Sequence, residues 1–371
     1  MSGSATTSVE LPGIMLVTKK LQTNPSGGRE LLCKLNHEAL VEIFGERLVL
    51  FELPSVRRQG LSSIVGALRG DIDGLNDDVV AKARQAIQAQ KVGKVFVDGS
   101  NLGKLGRVIR QTLPQVEVIT FFHNVEARFF LGALRQTKTP RALAVLIVNY
   151  LAERTSVRYS NKIICLNGRD ALLLHRIYGR VATHISPIAL RDNLTGHGIT
   201  SEDNQQEKFA LFVGGVFYAN LAGITWFVKK VVPRISVKTY IVGKGFEAFR
   251  GELEAAGKVE VVGEVDNVES WYRKSYFVVA PIFDGSGMKT KVAEALMFGK
   301  KIVGTPEAFA GYEAITNLAG RVCTSSDDFV TAIEAVDSIV SSPFDNELRA
   351  AYESTYSYEA ARTRLEVIMN E

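Results

Sequence analysis

The sequence predicts an α/β protein of two Rossmann-like halves, each a parallel sheet flanked by helices, and three observations carry that expectation. At 371 residues the chain is long for one domain, since domains run to about 150 residues. Short β-branched runs alternate with longer amphipathic stretches, the pattern of parallel strands joined by crossover helices. Residues 188–207 (IALRDNLTGHGITSEDNQQE) are rich in Asn, Asp, Gly and Gln with no sustained apolar period, which marks an interdomain linker.

In the first half, strands are expected at Ile14–Thr18, Leu48–Leu53, Lys94–Val97, Val116–Phe122, Lys162–Cys165 and Thr183–Ile185. Between them the apolar spacing predicts helices at Arg29–Phe44, Asp77–Gln90 and Leu102–Leu113, and one long helix over Glu126–Arg158. In the second half, strands are expected at Lys208–Val213, Lys238–Val242, Val259–Val262, Phe277–Ala280 and Lys301–Thr305. The helices there fall at Ala222–Val232, Phe246–Ala256, Val268–Lys274, Lys289–Phe298, Asp327–Ser341 and Glu347–Met369. Two such halves would face each other with the carboxyl ends of their strands across a central cleft, where ligands bind in folds of this class.

The composition narrows the function. Lys and Arg (44) exceed Asp and Glu (40) by four, and no dense basic stripe is present, so nucleic acid is not an expected partner. The 46% hydrophobic and 23% charged fractions exclude wholesale disorder. Three dispersed cysteines, Cys33, Cys165 and Cys323, make no disulfide framework and fit a reducing cytoplasm. Residues 1–10 (MSGSATTSVE) lack the basic and apolar regions of a signal peptide and read as a flexible tail. Phe209–Val228 carries no charge and has the length to span a membrane. Gly214-Gly215 and Asn220 interrupt it, so it reads as a strand ending at Val213, a glycine turn, and a helix after Asn220.

The densest chemistry lies in Pro281–Gly311 (PIFDGSGMKTKVAEALMFGKKIVGTPEAFAG). A strand runs into Asp284-Gly285-Ser286-Gly287, and a helix opens near Lys289. Glycines let backbone approach a ligand, and a helix start offers unpaired N–H groups, so the turn suits an anion such as phosphate. Lys289 and Lys291 add positive charge. Glu294, about two turns on, can accept hydrogen bonds from a pair of sugar hydroxyls. The alternative is a glycine turn that serves packing alone.

The segment resembles the donor-binding motif of the retaining glycosyltransferases of family four, in a GSG…K…EA variant. FVGGVFYANLAGITWFVKKVVP, TYIVGKG and VEVVGEVDNVESWYRKSYFVVAP resemble the preceding parts of that domain, in order, from about residue 208 to 312. The resemblance implies a GT-B fold: a flexible tail (1–10), an acceptor-side domain (11–190), a linker (191–207), a nucleotide-sugar-binding domain (208–345) and a helix crossing back to the first domain (346–371). It implies a cytoplasmic, metal-independent hexosyltransferase of surface polysaccharide assembly, such as capsule or O-antigen. The donor would be a nucleoside diphosphate sugar, a substrate rather than a cofactor, and the acceptor a glycan or a lipid-linked molecule. Gly285, Ser286, Gly287 and Met288 with Lys289 or Lys291 would hold the diphosphate, Glu294 the ribose, and Gly263, Glu264 and Val265 would line the base.

Elsewhere the resemblance is thinner. SGGRE places Gly27 and Gly28 before the first helix, facing the donor or making only a tight turn. In FFHNVEARFF, His123 would touch the transferred sugar or acceptor with Asn124 and Glu126 beside it; the alternatives are a core histidine and a first-turn acid. In LNGRDALLLHRIYG, Asp170 reads as a helix cap after Arg169. Two departures stand out. The turn GGVFYAN has no basic residue where relatives carry an Arg and a Lys, and Asp284 stands off the position of the relatives' first Glu. Lys289 or Lys291 is expected to supply the missing charge. Readings outside transfer are a non-catalytic nucleotide-sugar-binding subunit and a nucleotide-sugar epimerase of the same fold.

Other stretches read plainly. Asp98–Gly106 is a loop and helix start, its glycine spacing wrong for a dinucleotide loop, and the five histidines have no metal-ligand spacing. Ala142–Ala152 is strongly apolar among Arg128, Arg135, Lys138, Arg141 and Arg154. It is either a buried helix with solvated flanks or a surface for peripheral contact with the inner membrane face.

Overall fold

The structure is a computed structural model that describes residues 12–23, 25, 27–55, 61–194, 208–285 and 287–371. The expected tail, Ser286 and most of the expected linker lie outside the described residues. The chain divides into two compact units. The first comprises residues up to 23, 36–164 and 174–184, and the second takes 24–35, 165–173 and 185–371. The sequence division at the linker differs in assigning residues 24–35 and 165–173 to the first domain. They group with the second unit because their glycines and Arg169 meet its residues there.

The first unit is built on a parallel sheet in the order β2-β1-β3-β4-β5-β6. The strands are β1 (Gly13–Lys19), β2 (Leu48–Leu53), β3 (Val92–Asp98), β4 (Glu117–Phe122), β5 (Lys162–Cys165) and β6 (His184–Ile185). The helices are α1 (Gly28–Phe44), α2 (Leu61–Leu68), α3 (Asp77–Ala89), α4 (Gly103–Thr112), α5 (Glu126–Thr137), α6 (Pro140–Tyr159) and α7 (Gly168–Tyr178). Met15, Val17, Val95 and Val97 bury one face of the central strands against Val79, Val80, Ala83 and Ile87 of α3 and Leu105 and Ile109 of α4. The side chain of Asn76 caps α3, accepting from the Val79 N–H at 2.8 Å.

The long helix expected over Glu126–Arg158 is two helices. Lys138 ends α5 in the left-handed conformation, and Thr139 caps α6 with Pro140 in its first turn. Proline suits a helix start and disfavours helical backbone in the residue before it. The short helix α2 falls where the sequence predicted no element.

In the second unit the strands are β7 (Phe209–Val213), β8 (Lys238–Val242), β9 (Val259–Gly263), β10 (Phe277–Ala280), β11 (Ile302–Gly304) and β12 (Gly320–Val322). Its helices are α8 (Tyr218–Lys230), α9 (Arg250–Leu253), α10 (Glu269–Lys274), α11 (Thr290–Met297), α12 (Thr316–Ala319), α13 (Ser326–Glu334), α14 (Asn346–Ala351) and α15 (Tyr358–Asn370). The sheet order is β12-β11-β10-β7-β8-β9, parallel in every pairing. The chain therefore reverses direction across the sheet between β7 and β10, and the crevice outside their carboxyl ends is where such a sheet receives a ligand.

The uncharged stretch Phe209–Val228 is β7, a turn and most of α8, which starts at Tyr218 rather than after Asn220. No helix among the described residues is long and apolar enough to cross a membrane. The helix expected over Glu347–Met369 is broken: a π-helical turn over Tyr352–Tyr356 leads to extended Ser357, whose hydroxyl caps α15. Ser357 pairs with Leu190 in a parallel bridge, and the Tyr352 hydroxyl donates to the Leu190 carbonyl at 2.9 Å. Ser357 is extended at that bridge, so the helix stops before it.

Helix α8 lies directly against the loop after β10. A Cβ placed on Gly223 would stand 1.8 Å from the Pro281 carbonyl oxygen, so no side chain fits without moving the loop. Gly223→Ala is expected to destabilise the protein by about 1–3 kcal/mol through overpacking, read as a lower urea midpoint with unchanged slope. An unchanged midpoint would show that the helix and loop are not in tight register.

Candidate functional site

A cavity of about 610 Å³ opens in the second unit at the crevice between β7 and β10, a volume ordinary for a small-molecule site. Its walls come from the turn after β7 (Val213–Phe217), Asn220 on α8, Ile282, Met288 and the start of α11. Pro25, Gly27, Gly28 and Leu31, before and within the first turn of α1, line it too.

Lys291 is the central cation. Its side chain is buried, its Nζ donates to Asn220 Oδ1 at 2.9 Å, and the ammonium lies 4.1 Å from the centroid of the Phe212 ring. Removal from water pushes its pKa down to about 7, against the pull of Glu294 upward and with a further downward push from Lys289. The space around the ammonium depends on Gly214, at φ +153°. A Cβ there would meet Asn220 Nδ2 at 2.8 Å and Lys291 Nζ at 3.1 Å. Glu294, one turn further along α11, lines the same cavity and accepts from the Tyr272 hydroxyl at 2.8 Å. Burial raises its pKa, opposed by that hydrogen bond and by Lys291.

Lys289 also lines the cavity, but its charge is engaged. Its Nζ lies 2.9 Å from Glu307 Oε1 and 3.3 Å from the Gly287 carbonyl. Glu307 simultaneously accepts from Arg169 Nη1 at 3.0 and 3.2 Å, and Arg169 Nε reaches Asp170 at 3.1 Å. Burial lowers the Lys289 pKa while Glu307 holds it up. The expected cap at Asp170 is corrected: Asn167 Oδ1 accepts the Asp170 N–H at 2.8 Å, and Asp170 answers by accepting from Asn167 Nδ2 at 3.1 Å. Asn167 is thus the cap and Asp170 its partner one turn later.

The remaining residues expected around a donor are not all brought together. Met288 lines the cavity, whereas Asp284, Gly285 and Gly287 do not, and Asp284 Oδ1 accepts the Gly285 N–H at 2.8 Å. Gly263, Glu264 and Val265, after β9, are also outside the lining. The Glu264 N–H donates to Glu247 at 2.7 Å and its carboxylate pairs with Lys244 at 3.0 Å, which folds that loop onto its own neighbours.

In the first unit, His123 follows β4. Its Nε2 stands 2.8 Å from Oδ1 of Asp98, the fully buried last residue of β3. Asp98 also accepts from Asn36 Nδ2 at 3.2 Å and Thr18 Oγ1 at 3.3 Å. This fixes the imidazole ring. Asn124 is half-buried. Glu126 is buried and opens α5, whose first N–H groups (Glu126 and Ala127) donate to Glu153 at 2.9 and 3.2 Å. Burial pushes the Glu153 carboxyl up to about 7, opposed by the Tyr178 hydroxyl and those N–H groups.

Sequence reasoning missed Asp98, Asn220, Phe212, Glu307 and Glu153. The position of Asp98 at the carboxyl end of a central strand was a usable signal; the others act through contacts that no local spacing announces.

Residues 207–338 match the family described as Glycosyl transferases group 1. Among solved structures, the chain is similar to sucrose-phosphate synthase from Thermosynechococcus elongatus (TM-score 0.72, 13% identity, covering 97% of this chain and 98% of that one). It is similar also to HepE of Anabaena in complex with UDP (0.68, 12%, 96% and 99%). A third is WaaG, a glycosyltransferase involved in lipopolysaccharide biosynthesis (0.58, 13%, 94% and 94%). No curated protein matches by sequence. The fold is GT-B, and the matched segment supports a glycosyltransferase of that type.

The buried Lys291 makes a signed prediction. Between about pH 7 and the ordinary lysine value of 10.5 the unfolded chain holds more protons than the folded one, so this residue makes stability rise with pH across that window. The difference in unfolding free energy between wild type and Lys291→Met should favour the variant most below pH 7 and shift toward wild type as pH approaches 10.5. A difference independent of pH would show that the ammonium is not desolvated.

Proposed function

We propose that the chain transfers a hexose, with retention of configuration, from a nucleoside diphosphate sugar to a hydroxyl of a glycan or lipid-linked acceptor in surface polysaccharide assembly. The observation that carries this reading is the buried Lys291 ammonium on Asn220 at a cavity of nucleotide-sugar size, in a segment matched to glycosyl transferases group 1. Asn220 belongs to the turn and helix where the sequence lacks the basic pair of its relatives, and Lys291 brings a cation to it from α11. Lys291, rather than the engaged Lys289, is therefore the proposed diphosphate partner.

In the reaction the bond from the anomeric carbon to the leaving diphosphate oxygen breaks, and the acceptor oxygen bonds the same carbon on the same face. The acceptor's proton passes to the departing diphosphate. No protein nucleophile is needed. Lys291 stabilises the charge that grows on the diphosphate, an interaction strongest in the transition state. The backbone N–H groups of Gly215 and Met288, both at the cavity wall, add to it, and Glu294 accepts from sugar hydroxyls. Two structural neighbours are complexes with UDP and with UDP-glucose, in line with a donor of this chemical class. In the first unit, taken by itself, His123 held by Asp98 is the proposed fixed polar group of the kind that contacts a sugar hydroxyl.

Calorimetric titration of the full chain with UDP- and GDP-linked sugars tests the reading. One donor should bind, and Lys291→Met should weaken it about ten- to a hundredfold, the worth of a charge-assisted hydrogen bond. Glu294→Gln should weaken the nucleotide sugar and the free nucleoside diphosphate alike, since both carry the ribose. Lys289→Ala should have the smaller effect. Binding of no donor, or full affinity in Lys291→Met, would overturn the assignment. Release of nucleoside diphosphate only when an acceptor is added separates transfer from binding or epimerisation.

A further inference from the structure

Helix α5 of the first unit follows directly on the turn that carries His123, and a residue from another helix holds its start. The position that would ordinarily cap it is Val125, which has no side-chain acceptor. The N–H groups of Glu126 and Ala127 lie in a buried setting and need partners from elsewhere. Glu153 of α6, 27 residues along the chain from Glu126 and fully buried, supplies them: one carboxylate oxygen accepts from Glu126 at 2.9 Å, the other from Ala127 at 3.2 Å. The Tyr178 hydroxyl at the end of α7 donates to the same carboxylate at 2.6 Å.

All three of those donors are neutral. The side chain of Glu126, itself an acid and buried, opposes a second negative charge beside it. Tyr150 of α6 packs on the Tyr178 ring at 5.3 Å and brings no charge. Helix α4 packs against α6 through Gly103, which faces the Ala152 carbonyl. Of its cations, Lys104 pairs with Asp71 and Asp77, Arg110 donates to the Pro114 carbonyl, and Arg107 does not bond Glu153. Arg180, after α7, gives its guanidinium to the carbonyls of Val157, Ser160 and Asn161. Arg128 of α5 is half-buried and does not bond Glu153 either. Arg135 of α5, Arg141, Arg154 and Arg158 of α6, and His175 and Arg176 of α7 are exposed.

We propose that Glu153 is a positioning residue for His123, its ionised carboxylate anchoring the start of α5 and with it the backbone that carries the imidazole. Only Asn124 and Val125 separate His123 from the anchored N–H of Glu126. Asp98 fixes the ring and Glu153 fixes the main chain that follows it. Because burial brings the Glu153 carboxyl up to about 7, the anchor exchanges between charged and neutral forms near neutral pH. A protonated carboxyl is the weaker acceptor for helix N–H groups, so proton uptake slackens the turn. The part of His123 toward a sugar hydroxyl rests on the proposed function; the coupling to Glu153 does not, and its first test uses neither donor nor acceptor.

The experiment records imidazole and amide NMR signals of the full, nitrogen-15-labelled chain for wild type and Glu153→Gln, from about pH 6 to about pH 9, a range that spans the Glu153 transition. Glutamine has the shape of the protonated acid and no charge. His123 is identified by the signal lost in His123→Gln. At the upper end of the range the His123 ring signals and the Glu126 amide should differ between wild type and Glu153→Gln, and at the lower end they should converge. Tyr178→Phe removes a donor to the charged form, so its midpoint should move to higher pH. A difference that does not change with pH, no difference at all, or a midpoint that fails to rise in Tyr178→Phe would overturn the inference. Where transfer is measured, the rate of wild type relative to Glu153→Gln should rise about tenfold across the same range, the scale of a misplaced contact group. A flat ratio would overturn the positioning role. Absence of transfer in both proteins would count against the proposed function alone, with the spectra still deciding the coupling.

Discussion

The second unit is organised around a desolvated ammonium. Placing the Lys291 charge out of water is unfavourable unless polar and π-electron partners surround it, and the structure provides Asn220 and the Phe212 ring. Those partners come from α8 and β7, so satisfying one lysine ties α11 to both elements at the point where the strand order reverses. Gly214 is bound into the same requirement, because any side chain there would occupy the space of the amine. A bound anion would supply what the protein leaves open, namely a full counter-charge at short range.

The packing that serves this arrangement is close. Gly223 lets α8 lie on the Pro281 carbonyl, which carries the loop after β10 toward the turn after β7. The two turns that line the cavity are thus held by backbone contact. Side-chain adjustment plays little part in their spacing, which suits a site that must discriminate by geometry.

Much of the fold was legible because parallel strands buried on both faces leave continuous β-branched runs. FALFV, TYIV and FVVA are such runs, and β7, β8 and β10 appear where they stand. Breaks forced by tertiary contact were harder to read. The helix expected over Glu347–Met369 is interrupted because Ser357 pairs with Leu190, more than 160 residues away, and nothing local in YESTYSYE announces it. Pro140 could have been read as a boundary, and the apolar runs on either side of it, Phe129–Leu134 and Ala142–Val148, concealed the signal. In the candidate site, Lys291 and Glu294 were readable from one helix's spacing, whereas the difference between Lys289 and Lys291 was not. It depends on Glu307 and Arg169, brought from distant segments, and pairwise ionic contacts of that kind leave no periodic trace.

The Arg169–Glu307–Lys289 cluster has a kinetic consequence. With Asp170 it holds two positive and two negative groups, so its formal charges cancel. Lys291 and Glu294 balance each other as well. These balanced groups therefore add little long-range field at the cavity, and they do not themselves draw an incoming diphosphate from a distance. Its encounter rate should depend on collision and fit, nearly indifferent to ionic strength, with the attraction switching on only after water has been squeezed out.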